Sequence, residues 1–302
     1  MILNRNAIVS AMGVAFNQAF SSAVDAYPDK DLYKQLAFVT PSTGKTEEFG
    51  FLSNIPQLRE WIGDRHIGNI ARYAMQVTNK KFESTIHILG DELDDDAWAR
   101  KIPLATVLGE EVERGKNEAV FNLLSSGFTT LGYDGQPFFN ASHPVLNAAG
   151  ANILVSNLQA GAGNPWYLLD LSSTVIRPII FTNRKEFQLR QMTDMQDEQV
   201  FMRDEYRWGV DGRFGVGLAL WQKAFASRLP LTQANFDAAV QTMGSVKRDG
   251  GGAASVRPTH LVCGYSNLAA AKQLLETQLV AQAVGTGGAA VTNYNFGAVK
   301  LI

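Results

Sequence analysis

The chain has 302 residues, about two domains at ordinary domain sizes, and its 46% apolar and 19% charged content excludes disordered, collagen-like and disulfide-scaffold classes. Lys and Arg total 27 against 29 Asp and Glu, a net charge of −2 that excludes a strongly basic nucleic-acid binder and leaves any DNA contact local and weak. The single cysteine, Cys263, excludes an intramolecular disulfide and any site with more than one thiolate, and fits a reducing compartment.

In chain order, the first expected element is an amphipathic arm. Arg5 precedes an apolar patch and Ser21-Ser22-Ala23 follow it, in the outline of a signal peptide. However, Asn17 and Gln18 interrupt the patch, and Ile8, Met12, Phe16 and Phe20 recur every fourth residue on one helical face, so an uncleaved helical arm is expected. No apolar run reaches the roughly 18 to 20 residues that span a bilayer, so no membrane helix is expected. From Lys45 to about Gly90 helical periodicity is poor, with Gly50, Pro56, Gly63 and Gly68 inside. The two ends, Glu48 to Leu52 and Lys81 to Ile88, alternate like strands, with Phe82, Ile86 and Ile88 on one face. That predicts a long two-stranded excursion. An isolated hairpin is marginal in water, so one carrying Trp61 is expected to rest on another chain.

Asp94-Asp95-Asp96 then cap a helical pattern from about Ala97 to Ser126, with Pro103 near its start and Gly127 as its stop. Its apolar stripe is Leu104, Val107, Leu108, Val112, Ala119, Leu123 and Leu124, and Glu110 is spaced to pair with Arg114. Residues 128–165, rich in Gly, Asn and Pro, read as loop with short strands. Strands are expected at Trp166 to Leu169, Val175 to Phe181, Val200 to Trp208 and Gly217 to Phe225. Thr232 caps a helix with Phe236, Val240 and Met243 on its apolar face, stapled by Leu231 against Phe236. After a turn at Asp249-Gly250-Gly251-Gly252 come a strand, His260 to Cys263, and a helix capped by Ser266 and carrying Leu268, Leu275 and Leu279. A Gly-rich loop at 285–288 and a closing strand at 298–302 complete an α+β pattern with no solenoid or propeller repeat.

No motif assembles into an active site. Thr43-Gly44-Lys45-Thr46 ends like a phosphate-binding loop, but Val39 stands where the leading glycine is required and no helix follows, so a polar turn is expected. Gly212, Gly215 and Gly217 have the wrong order for a dinucleotide fingerprint and read as flexible strand ends. The Asp94 run could offer hard oxygens to a cation, but directly before a helix it reads as a cap. His66, His87, His143 and His260 show no i, i+4 pair for zinc. Cys263 reads as a buried small hydrophobe within a strand. No Gly-x-Ser-x-Gly elbow occurs, although a Ser-His-Asp set drawn from distant positions stays open. No catalytic residue, metal or cofactor is expected.

Strings spread over nearly the whole chain carry a resemblance. They include Phe51-Leu52 with Pro56, Leu58-Arg59-Glu60-Trp61-Ile62-Gly63 and Arg65, then Asn79-Lys80 with Phe82-Glu83 and Thr85. Tyr133-Asp134-Gly135-Gln136, Phe138-Phe139 and His143-Pro144-Val145 follow, then Tyr167 to Asp170, Pro178 with Ile180-Phe181, and Val200-Phe201-Met202. Trp221-Gln222, Leu231-Thr232, Asp249-Gly250-Gly251 and Pro258-Thr259-His260 complete the series. In this order the chain resembles the major head subunits of Mu-like phages and prophages, a family similar to tailed-phage capsid proteins of the HK97 fold.

The resemblance implies a virion capsid subunit, without enzymatic activity, that forms hexamers and pentamers of an icosahedral shell around double-stranded DNA, assembled in the bacterial host cytoplasm. It implies an N-terminal arm over 1–45, an extended E-loop over 46–90, a peripheral domain over 91–230 with its spine helix at 97–127, and an axial domain over 231–302. It also implies a separate scaffold and protease protein, a portal and weak non-specific contact with packaged DNA, with no membrane partner, and leaves open whether a decoration protein binds. A few C-terminal family residues are expected beyond Ile302. On this reading Phe51, Leu52, Trp61 and Ile62 make the E-loop contacts to a neighbour, and Arg59, Glu60, Asp64 and Arg65 fix their register. Ile8, Met12, Phe16 and Phe20 make the contacts of the arm. The alternative for Trp61 is packing on its own domain. The alternatives for the protein are an encapsulin-like compartment shell and a hydrolase using Cys263 or a hidden serine triad.

Overall fold

The computed structural model describes residues 5–52, 72–94, 98–147, 149–247, 251–284 and 287–302. The order is α1 (Arg5–Ala26), α2 (Leu32–Leu36), β1 (Ala37–Pro41), β2 (Thr46–Leu52), β3 (Arg72–Thr78), β4 (Lys80–Leu89), α3 (Gly90–Asp94) and α4 (Ile102–Ser126). There follow β5 (His143–Leu146), β6 (Asn152–Val155), β7 (Leu158–Gln159), β8 (Trp166–Leu169), β9 (Ile179–Met192), α5 (Glu198–Arg203), β10 (Glu205–Leu218) and β11 (Ala224–Ser227). The last part holds α6 (Gln233–Gly244), β12 (His260–Cys263), α7 (Tyr265–Leu275), β13 (Leu279–Val284), β14 (Gly287–Thr292) and β15 (Lys300–Leu301).

Two sheets organise the chain. The first runs β1-β9-β10-β4, with β1 parallel to β9 and the long β9, β10 and β4 antiparallel. Alternate β10 residues Tyr206, Trp208, Val210 and Phe214 turn inward, where α1 and α4 close over them. The second runs β15-β12-β8-β11-β7. On β8, Trp166 and Leu168 meet α6 and α7, while Tyr167 and Leu169 meet a core shared with Val120 and Leu124 of α4 and with Ile179 and Phe181 of β9. A strand buried on both faces needs an unbroken apolar run, and Trp-Tyr-Leu-Leu supplies it. The Thr232 hydroxyl caps α6 by accepting from the Asn235 N–H, and Leu231 and Phe236 share one core, as expected of the cap and staple.

Several expected elements differ. Lys81 to Ile88 is a strand, but it pairs with β10, and the partner of β2 is β3. The helix expected from about Ala97 begins at Ile102 after a 3₁₀ turn at Trp98–Lys101, so Asp94 ends α3 and does not cap α4; Asp95 and Asp96 lie outside the described residues. Leu104 and Val107 are exposed, and the buried stripe instead takes in Ala105, Glu113, Lys116 and Asn117. Arg114 pairs with Glu111 and Glu118, not Glu110. Residues 198–203 are helix, and β9 runs eleven residues past Phe181. Gly264 precedes α7, which places Ser266 inside the helix, and Leu279 belongs to a β hairpin.

Candidate assembly surfaces

The arm residues come together, but inside their own subunit. Met12 and Phe16 are fully buried, with the Phe16 ring 5.1 Å from that of Trp208, and Ile8 packs half-buried on the same cluster. Phe20 meets Leu108, Val112 and Val210. α1 and α4 touch so closely at Gly109 that a Cβ there would stand 2.6 Å from Phe20 O and 2.8 Å from Ala23 Cβ. The burial of all four side chains is therefore intramolecular, which differs from the expectation of an arm laid on a neighbour. By length and composition α1 is apolar enough to cross a bilayer, again unlike the expectation, but α4 and the first sheet close its apolar face.

The segment that follows α1 is fastened to α4. Asn117 accepts from the Tyr33 N–H at 2.9 Å and donates to Asp29 O at 2.9 Å. Beside it a buried Lys116 ammonium lies 2.9 Å from Glu113 Oε1 and 5.7 Å from the Tyr33 ring centroid. Burial, then the Glu113 charge, pushes the Tyr33 hydroxyl far above its ordinary range. Arg177 completes the attachment by donating to the carbonyls of Lys34, Gln35 and Ala37, the loose end of α2.

The β2–β3 hairpin leaves this body from a clamped root. Glu47 accepts from Ser42 Oγ at 2.7 Å and from the Gly44 and Thr43 N–H groups at 2.8 and 2.9 Å. Those bonds, the Gly44 N–H first, hold its carboxyl below the usual range. The Thr43-Gly44-Lys45-Thr46 string is thus a polar turn closed by its own carboxylate. Buried Asn79 donates to Ser42 Oγ at 2.6 Å and Gly44 O at 3.0 Å, and accepts from Thr182 Oγ1 at 2.8 Å. Val77 packs on Ile180 and Ala219. Gly215 and Gly217 are a floor for this root, not flexible ends, because a Cβ on either would meet Val77 within 3.0 Å. At the far end Phe51 and Leu52 pair through their backbones with Tyr73 and Arg72. Arg59, Glu60, Trp61, Ile62, Asp64 and Arg65 lie outside the described residues.

Exposed apolar side chains gather elsewhere. Met192, Met195, Phe201 and Met202 stand at one end of the first sheet, and Leu154 stands on the β5–β6 hairpin. Cys263 is half-buried in β12, and burial pushes its thiol up. His260 contacts Thr259 Oγ1 at 2.8 Å, and burial, then Lys300 and Arg177, push its imidazole down. His143 touches Asp134 and Asn157, and His66 lies outside the described residues. Among the described residues no group of three or more His, Cys, Asp or Glu is placed to hold a metal.

Comparison with known proteins agrees with a shell subunit. The family described as "Mu-like prophage major head subunit gpT" matches residues 9–302. The chain is 37% identical over 293 residues to the Mu-like prophage FluMu major head subunit of Haemophilus influenzae, covering 95% of this chain and 93% of the relative. It is 32% identical to the major capsid protein of Escherichia phage Mu, covering 98% and 97%. The subunit of the bacteriophage JBD30 procapsid superposes with a TM-score of 0.80 at 38% identity, covering 98% and 97%. The JBD30 capsid decorated with minor capsid protein trimers follows at a TM-score of 0.72 and 27% identity, covering 89% and 88%.

Proposed function

The chain belongs to the family of Mu-like prophage major head subunits and is a major capsid protein of HK97-type α+β fold, and on that premise we propose that the β2–β3 hairpin is the element by which one subunit grips the next. The protein is a structural subunit and not an enzyme, and it builds a shell of many copies. The full-length relatives are phage head proteins, so a compartment shell is not favoured.

The observation that supports the hairpin reading is its root. A strand pair held by Glu47, Asn79 and Thr182 on a glycine floor is fixed at its base to the first sheet. Within the reading, Phe51, Leu52, Trp61 and Ile62 provide apolar anchors, and Arg59, Glu60, Asp64 and Arg65 set register on the neighbour. The E-loop is then residues 46–78, with β4 assigned to the body, α4 the spine helix of the peripheral domain and 231–302 the axial domain. Hexamers and pentamers, a scaffold and protease protein, a portal, a decoration protein, weak contact with packaged DNA and assembly in the host cytoplasm complete the proposal.

The test is negative-stain electron microscopy of the protein expressed with and without its scaffold gene, after size-exclusion separation. Closed shells or capsomer rings are expected for the wild type. Trp61→Ala is expected to leave soluble subunits but few shells, and normal heat-stable particles from that variant would remove Trp61 from the contact. A homogeneous small oligomer in every condition would refute self-assembly by this route.

A further inference from the structure

The hairpin contact makes no use of a furrow that runs between α4 and β4. β4 is the last strand of the first sheet, so alternate residues of Lys80–Leu89 turn their N–H and C=O groups away from β10. Between this edge and the helix lie two adjoining hollows of about 500 and 430 Å³, which share Phe82, Ala119, Asn122 and Phe214. From Leu108 to Ser126 the helix wall is about 27 Å long at 1.5 Å per residue, room for about eight residues of extended chain at 3.3 Å each. The floor is aromatic. Phe82 is 37% exposed, and its ring stacks on that of Phe214 at 4.2 Å between centroids and 10° between planes. Two glycines shape the furrow. A Cβ on Gly212 would stand 2.6 Å from the Phe187 ring, so only glycine there lets Phe187 complete the floor, whereas a Cβ on Gly115 in the helix wall would meet nothing within 4 Å.

We propose that this furrow takes an extended segment of the separate scaffold protein as a fifth strand beside β4, with alternate side chains apolar and a basic residue against the rim. The proposal rests on the reading that such a scaffold directs assembly. An open strand edge supplies main-chain hydrogen bonds, and the pockets beside it select every second side chain. Here the Phe82 and Phe214 rings would receive the apolar ones. Asn122 lines both hollows and makes no side-chain hydrogen bond among the described residues, which leaves its amide for a passing backbone. The rim sets the charge of the occupant. Glu83, Glu111 and Glu118 line one half of the furrow, and the two helix glutamates share the single cation Arg114. A second copy offering its β2 strand would bring Glu47 and Glu48 to this rim, like charge against like, so a basic foreign segment is the better match.

The test is amide hydrogen exchange of the unassembled full-length subunit with and without purified scaffold protein, beside binding measurements on Gly115→Leu. The leucine would fill the furrow from open space in the helix wall, and Gly115→Ala controls for the gain in helix propensity. Scaffold is expected to slow exchange along Lys80–Leu89 in the wild type and in Gly115→Ala. Gly115→Leu is expected to bind it about tenfold or more weakly. Wild-type binding should also weaken as salt is raised. Unchanged exchange in β4, or equal binding by Gly115→Leu, would overturn the furrow as the site and leave the scaffold reading intact. A wild-type subunit that binds no scaffold would overturn both. Slowing seen only in shells closed without scaffold would give the furrow to a second copy and overturn the proposal.

Discussion

Replacing Phe16 with Ala separates a helix that belongs to its own subunit from an arm that belongs to the next. The ring is fully buried among Met12, Ile88, Ala105 and Trp208, so the substitution opens a cavity in the described core. Phe→Ala in such a site costs about 3–5 kcal/mol. The tilted contact with Trp208 at 5.1 Å adds about 0.5–1.5 kcal/mol beyond the area term, which places the expectation near the top of that range. At about 2–4 °C per kcal/mol for a large domain, the melting point should fall by about 10–20 °C. The assay is thermal or urea unfolding of subunits kept unassembled by leaving out the scaffold, with Val14→Ser as the control. Val14 is 68% exposed, and its replacement should change subunit stability by no more than about 0.5 kcal/mol. If unassembled Phe16→Ala subunits were as stable as wild type while shells failed, the helix would be an intermolecular arm and the packing argument wrong.

Two further outcomes follow from close contacts and a buried charge. Gly109→Val should loosen α1 from α4 and cost about 1–3 kcal/mol, seen as faster hydrogen exchange along α1, because its branched side chain would meet Phe20 O and Ala23; unchanged exchange would contradict that crossing. Burial pushes the Asp170 carboxyl up, but the Ser172 hydroxyl and amide and the Lys223 ammonium outweigh it and hold the group below its ordinary range. A carboxyl depressed on folding contributes stability above about pH 4, and that contribution is lost as pH falls through the folded value. Lys223→Met should therefore cost about 3 kcal/mol at pH 7 and much less near pH 3, and a gap in urea midpoint that stays constant with pH would refute the pairing.

Sequence periodicity served best where local rules and tertiary demand agree. Thr232 with Leu231 and Phe236, and the unbroken Trp-Tyr-Leu-Leu of β8, are read correctly because a cap, a staple and a two-faced strand each leave a local pattern. It failed where a residue's role is set by a distant neighbour. Lys81 to Ile88 alternates as a strand should, but nothing in that alternation says whether its partner is β2 or the far-off β10. Glu113, Lys116 and Asn117 interrupt an apolar stripe with no local pattern to mark them as buried, yet all three are: the 29–36 segment brings backbone groups to Glu113 and Asn117, and Lys116 pairs with Glu113 beside the Tyr33 ring. Val200-Phe201-Met202 looks like a strand by composition, but it forms a short helix with Phe201 and Met202 outward. Gly215 and Gly217 give no local hint that Val77 lies across them.

The clamped root gives the proposed hairpin contact its energetic logic. Seven paired residues per strand at about 3.3 Å each carry the described part of the hairpin about 23 Å from its base. A lever of that length on a free hinge would sample many directions, and each contact made on a neighbour would first have to offset the ordering of the whole arm. Here the ordering is completed when the subunit folds: Glu47 closes the turn, Asn79 and Thr182 tie it to β9 and β10, and two glycines let Val77 settle onto the sheet. The direction of the described strands is thus set before any contact is made, so a modest apolar anchor suffices to join subunits in the proposed arrangement. The same logic predicts which defects spread. A change at the distal end weakens one contact per subunit, whereas Asn79→Ala frees the direction of the whole hairpin. It should therefore yield subunits that fold and melt close to normally but assemble into irregular shells, and regular particles from Asn79→Ala would show that the root's rigidity is not what aims the contact.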